Sequence, residues 1–203
     1  MAAITSTEAL RAIYPPPTER ALKKQLDRLD KHCRSFIGLS PFLVISSMGS
    51  DGLADASPRG DLPGFVRVLD DTTIAIPDWP GNNRLDTLTN ILAEPAIGLL
   101  FLVPGVDEVM RVNGVAELRD DEELRRPFER SGKLPRLVIL VQVKEAYLHC
   151  AKAVMRARLW DPASRVERSV LPSMNEMIRD QTGGAGPVEP QHEMVERYRK
   201  VLY

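Results

Sequence analysis

From Phe42 to Cys150 the chain is a succession of short apolar runs separated by turn signals, a pattern that restricts it to folds built on strands. "FLVISS" and "LADAS" flank Gly49-Ser50-Asp51-Gly52, the glycine-rich punctuation of a hairpin. "FVRVL" and "TIAI" flank Asp70-Asp71 in the same way. "IGLLFLV" and "EVMRVNGVAEL" are joined through Pro104-Gly105, and "RLVILVQVKEAYLHC" supplies a long final strand. Links this short join antiparallel neighbours, because a parallel crossover needs a dozen residues or more. Two helices interrupt the series, one opening near Arg84 and ending at Glu94-Pro95, the other formed by "DDEELRRPFERS". The expected fold class is mainly β: a small antiparallel barrel or sandwich with helices at its ends.

The flanks read differently. Residues 1–17 suggest a short helix with a Thr5–Glu8 capping box, closed by Pro15, Pro16 and Pro17. Thr18 then caps an amphipathic helix with Leu22, Leu26, Leu29 and Cys33 on one face. Beyond Trp160 the chain turns polar and offers two more helices, "SMNEMIRDQ" and "EMVERYRKVL", split by "TGGAGP". This divides the 203 residues into an N-terminal helical extension (1–35), a β domain (36–162) and a C-terminal helical extension (163–203).

Several functions are excluded by bulk properties. With 27 Lys and Arg against 28 Asp and Glu, the chain lacks the basic excess that neutralising many phosphates requires, which argues against nucleic acid. Its apolar runs are too short to span a bilayer, and its start lacks the apolar stretch of a signal peptide. Cys33 and Cys150 have no metal-ligand spacing and suit a reducing cytoplasm. No HExxH, GxSxG or P-loop pattern occurs. His32-Cys33 and His149-Cys150 are poor catalytic pairs, since adjacent side chains point apart. The cluster Arg125, Arg126, Arg130, Lys133 and Arg136 reads most simply as a solvated helix and turn.

Two stretches carry candidate chemistry. "PDWPGNNRLDTL" (77–88) runs from a strand into a helix start, where unpaired N–H groups, a partial positive charge and Arg84 would suit a phosphate. Asn82 and Asn83 are natural helix caps, so a plain capped turn is the competing reading. "ASPRGDLPGF" (56–65) places Arg59 at a strand end, a position where barrel mouths bind ligands. The alternative there is a surface ion pair between Arg59 and Asp61.

Taken in order, "DGLADASPRGD", "TIAIPDWPGNNRLDTLTNILAEP", "IGLLFLVPG" and "EVMRVNGVAEL" resemble the pyridoxamine 5′-phosphate oxidase-like FMN-binding split barrels. The resemblance covers residues 36–120 and continues less firmly to Pro162. It implies a split β-barrel, FMN as cofactor and a homodimer with the flavin near the subunit interface. It further implies that Pro77–Arg84 holds the FMN phosphate, that Ser57–Arg59 runs along the cofactor, and that Val109–Arg111 reaches it across the interface. Pyridoxamine phosphate oxidases themselves end in an arginine-leucine-histidine-type tail, whereas here the tail reads "HCAKAVMRARLWDP". This resembles the relatives in which a lysine and a tryptophan face the pocket, as Lys152 and Trp160 would, with Arg156 and Arg158 beside them; the competing reading is a basic amphipathic segment on the surface.

The expected function is therefore a flavin-dependent oxidoreductase acting on a small molecule, with the isoalloxazine supplying the redox chemistry. Arg84, Asn83 and Arg59 are assigned to the phosphate and ribityl chain, Pro77 and Asp78 to the ring, and Arg111, Lys152 and Trp160 to closing the pocket; Ser57 completes the set. The alternatives are a barrel that stores or senses flavin, one that binds haem (through His149) or deazaflavin, and an empty barrel used only for dimerisation. The apolar runs "IGLLFLV" and "RLVILVQV" exceed what one face of a small barrel needs, which supports burial against a second copy.

Overall fold

The computed structural model describes residues 3–186 and 189–202, so Pro187 of the "TGGAGP" link and the outermost terminal residues lie outside the described residues. The chain contributes α1 (Thr7–Ile13), α2 (Glu19–Lys23), α3 (Lys31–Leu39), β1 (Phe42–Met48), β2 (Ala54–Gly60), β3 (Arg67–Val68) and β4 (Thr73–Asp78). There follow α4 (Asp86–Ala93), β5 (Ala96–Leu102), β6 (Val109–Arg119), α5 (Glu122–Arg125), β7 (Leu137–His149), α6 (Lys152–Ala157), α7 (Met174–Gln181) and α8 (Gln191–Arg199). All strand runs expected from the sequence form one antiparallel sheet, ordered β2-β1-β5-β6-β7-β4-β3. The architecture is the split barrel with flanking helices.

Alternation along the strands builds the core. In β1, Leu43 and Ile45 are fully buried while Phe42, Ser46 and Met48 face outward. Phe101, Met110, Val112, Ile139 and Val141 fill the same interior from β5, β6 and β7. α3 closes it from one side with Cys33 and Ile37, joined by Leu29. Asp30 caps α3 by accepting from the amides of His32 and Cys33. Cys33 lies in the core cluster, and burial pushes its thiol up to about 11, which disfavours the thiolate.

Three local expectations are corrected. The single helix expected from Thr18 to Cys33 is two, because Leu26 exchanges backbone hydrogen bonds with Ala146 of β7 and the chain between α2 and α3 is not helical. As a result Leu22 is 60% exposed. At the first helix the cap is Ser6, which accepts from Ala9, rather than Thr5. "DDEELRRPFERS" makes only α5 and a 3-10 turn, Arg126–Phe128, since Pro127 has no amide hydrogen to continue an α-helix.

The apolar surplus of "RLVILVQV" also has an intrachain explanation. Val138 packs with Ala75 and Phe128 in a second small cluster, backed by Leu140, so β7 buries both of its faces here. β5 differs. Leu100 stays 37% exposed on the outer face, directly across from Val44, and Phe42, Met48 and Val115 on the same face are 39%, 44% and 41% exposed.

One consequence of the sheet order positions the site. Four strands separate β2 from β4, yet the Arg59 and Asp78 side chains approach to 3.7 Å. The sheet therefore rolls until its two ends face each other without pairing, and the seam between them is an open cleft.

Candidate functional site

The cleft has a volume of about 510 Å³ and lies between β2, the end of β4, and the loop leading into α4. On β2 the inner positions are Asp55, Ser57 and Arg59, paired with Ser47, Ile45 and Leu43 of β1. An inner face would ordinarily be apolar. Here it is polar and half-buried because it borders the seam instead of the core. Arg59 is anchored, with Nη1 donating to Ser57 Oγ at 2.6 Å and to the Pro58 carbonyl at 2.9 Å. Its Nη2 stands 3.7 Å from Asp78 Oδ1, with the two side chains only 22% and 15% exposed. Asp61, the partner expected for Arg59, instead faces Arg130 at 3.8 Å.

On β4, Pro77 and Asp78 stand beyond the two residues that pair with β3, so the outer edge there has no ladder to complete and tolerates a proline. The Asp78 backbone carbonyl accepts from the Arg136 amide, which fixes the strand end. Burial pushes the Asp78 carboxyl above its ordinary value, and Arg59 pulls it partly back.

The loop into α4 departs from the expected capped turn. Asn82 Oδ1 accepts from the Arg84 amide, but α4 begins only at Asp86. Its N-cap is Leu85, which has a left-handed backbone and no capping side chain; Asn83 is left-handed too. Left-handed backbone at a β-carbon-bearing leucine costs of the order of 1 kcal/mol, and such strain concentrates at binding sites. The first amides of α4 are thus left for another acceptor. Arg84 is 73% exposed on its side chain and donates through Nε to Asp86 Oδ2 at 2.8 Å. Thr87, buried in the first turn, donates to Asp55 Oδ2 at 3.5 Å.

The cleft therefore has two ends. Asp55, Thr87 and Arg84 mark the α4 end. Arg59 lies four residues further along β2, about 13 Å away at the usual rise of a strand, and with Asp78 it marks the other. The lining carries four aspartates, Asp55, Asp61, Asp78 and Asp86, against Arg59 and Arg84, so a phosphate would be held by the α4 amides and Arg84 and not by a general positive field. A carboxylate, an arginine and an uncapped helix start, set along a polar groove, suit an elongated molecule with a phosphate at one end and a polar ring at the other. FMN is of that kind.

Six of the nine residues singled out from sequence, Ser57, Arg59, Pro77, Asp78, Asn83 and Arg84, border this one cleft. The other three lie elsewhere on the chain. Arg111 is on the outer face of β6, with its guanidinium 5.0 Å from the Tyr147 ring. Lys152 is exposed at the start of α6, and Trp160 donates through Nε1 to the Val106 carbonyl at 2.9 Å. His149 is exposed at the end of β7. Asp55 and Thr87 were not singled out. The period-two spacing Asp55-x-Ser57-x-Arg59 was the available signal for Asp55, while only the fold brings Thr87 to it. The basic cluster is mostly committed within the chain: Arg126 pairs with Glu122, Arg125 donates to the Pro135 carbonyl, and Arg130 faces Asp61.

Among the described residues no helix is long and apolar enough to cross a membrane, and no group of three or more ligating side chains could hold a metal ion. No curated protein matches the chain. Solved structures do. HupZ from Group A Streptococcus shares 16% identity at a TM-score of 0.50, covering 59% of this chain and 92% of its own. A candidate pyridoxamine 5′-phosphate oxidase from Lactobacillus delbrueckii shares 18% at 0.48, covering 61% and 98%, and an F420 reductase shares 15% at 0.41, covering 54% and 91%. At such identities HupZ shows the fold alone. The family model for pyridoxamine 5′-phosphate oxidase matches residues 29–150, well over half of the sequence, and the chain belongs to that family.

Proposed function

We propose that this protein binds FMN in the seam cleft and serves as a flavin-dependent oxidoreductase for a small molecule. The observation that carries the reading is that one cleft joins a phosphate-suited end at Arg84 and α4 to a ring-suited end at Asp78. Arg84, Asn83 and the α4 amides would hold the phosphate. Ser57 and Arg59 would run along the ribityl chain toward the ring, and Pro77 and Asp78 would border it. When bound, the flavin supplies the hydride or electron transfer. The chain's own part is to fix its orientation and to limit water along the groove. The free thiols Cys33 and Cys150 accord with a reducing cytoplasm as its setting.

The freshly purified protein is expected to be yellow, or to become so with added FMN, and to bind FMN well ahead of riboflavin because the phosphate carries much of the grip. An absorption spectrum and a fluorescence titration test this. A Soret band, or equal affinity for the two flavins, would overturn the assignment.

The same proposal includes a second copy of the chain. The outer apolar residues Phe42, Met48, Leu100 and Val115 share one face with Arg111. A partner laid on that face would cover them and bring its Arg111, Lys152 and Trp160 toward the flavin. Light scattering at micromolar concentration is expected to give about twice 22.6 kDa. A monomer that still holds FMN tightly would remove those three residues from the site.

A further inference from the structure

Asp78 is placed unusually for an acid on a strand. Its side chain is only 15% exposed and borders the cleft. Among the described residues no donor makes a hydrogen bond to its carboxylate, and the nearest cation, Arg59 Nη2, is at 3.7 Å, beyond hydrogen-bonding distance. Leaving a partly desolvated carboxylate without donors is costly, so its retention needs a reason.

A latch closing the seam would be one reason, but the geometry argues against it. A latch would put the two groups in direct contact, whereas Arg59 spends its Nη1 on Ser57 and Pro58, contacts that hold the guanidinium still beside Asp78. The result is a fixed donor and a free acceptor side by side, on the two strands that face each other across the cleft. Such a pair complements a planar ligand edge in which a carbonyl oxygen adjoins an N–H. The pyrimidine ring of a flavin presents that edge, with its N3–H between two carbonyls. The position agrees as well, since Arg59 and Asp78 lie at the end of the cleft away from α4, where a ring would fall if the phosphate sits at Arg84.

We propose that Asp78 and Arg59 together read the imide edge of the bound flavin, Asp78 accepting from N3–H and Arg59 donating to the neighbouring carbonyl oxygen. This rests on the cleft being a flavin site and adds to it the pair of residues that sets ring specificity.

The experiment is a fluorescence titration of the apo-protein with FMN and with N3-methyl-FMN, which keeps the phosphate but has no N3–H. Wild type is expected to bind FMN at least about tenfold more tightly than the methylated analogue, the scale of one charge-assisted hydrogen bond. Asp78→Ala is expected to bind the two within about twofold, because the acceptor is gone and space is left for the methyl group. The apo-protein should fold, since the change removes a charge whose burial is unfavourable. Equal affinities in the wild type would overturn the inference without recourse to any variant, and discrimination that persists in Asp78→Ala would overturn it too. If FMN is still preferred over riboflavin in either case, the flavin site stands and only the imide reading fails. If neither flavin binds, both fail.

Discussion

Gly114→Ala is expected to lower the melting temperature of the protein by roughly 6–12 °C, the shift that about 3 kcal/mol produces in a chain of this size. A Cβ at Gly114 would lie 2.3 Å from the Gln142 carbonyl oxygen, 3.1 Å from its carbon and 3.0 Å from Val141 Cγ1. Two of these atoms are backbone, so no side-chain rotation relieves the clash; β6 and β7 must part. They share the longest ladder in the sheet, from Val109 opposite His149 to Arg119 opposite Val138, and Gly114 sits at its one register shift. Gly98→Ala is the control. There a Cβ would meet Asn113 Oδ1 at 3.1 Å and Ser46 Cβ at 3.8 Å, both side-chain atoms; the asparagine can shift at the expense of its hydrogen bond to Glu145, so a loss of about 1 kcal/mol is expected. Scanning calorimetry separates the two. A Gly114→Ala protein melting with the wild type would mean that the register shift does not hold the strands as close as described.

The strands were legible because their signals are local. Alternation in "FLVISS" and the Gly49–Gly52 turn act within a few residues, and β1 and β2 formed accordingly. The break between α2 and α3 was not legible. Leu22, Leu26, Leu29 and Cys33 keep a helical spacing, but Leu26 is recruited by Ala146, a partner 120 positions away, and Asp30 then starts a new helix. The site divides in the same way. Arg59 and the Arg84 loop stood out as a strand end and a helix start, features of their own neighbourhoods. Which acid faces Arg59 depended on which sheet ends meet. Asp61 was the nearer candidate in sequence, and rolling of the sheet supplied Asp78. The apolar excess of β7 has two readings for the converse reason, since nothing local distinguishes a face waiting for a second copy from one already covered by Phe128.

Arg84→Ala is expected to weaken FMN binding by about ten- to a hundredfold, the equivalent of one charge-assisted contact worth about 1.5–3 kcal/mol. The fold should be indifferent. Arg84 is 73% exposed, it forms an ion pair with Asp86, and an exposed pair of this kind contributes little to stability. The turn that Asn82 makes with the Arg84 amide uses backbone, which alanine keeps, and the uncapped start of α4 at Leu85 is unchanged. The apo-protein should therefore melt close to the wild type. Riboflavin affinity should fall much less than FMN affinity, because riboflavin has no phosphate for Arg84 to meet, and this ratio separates loss of the grip from general damage to the cleft. Arg126→Ala is the matched control: it too removes an exposed arginine paired with a neighbouring carboxylate, Glu122, but on a segment that does not border the cleft. It should leave both flavin affinities as they were. If Arg84→Ala binds FMN like the wild type, the strained loop from Asn82 to Leu85 serves only to turn the chain from β4 into α4, and the phosphate is held elsewhere or not at all.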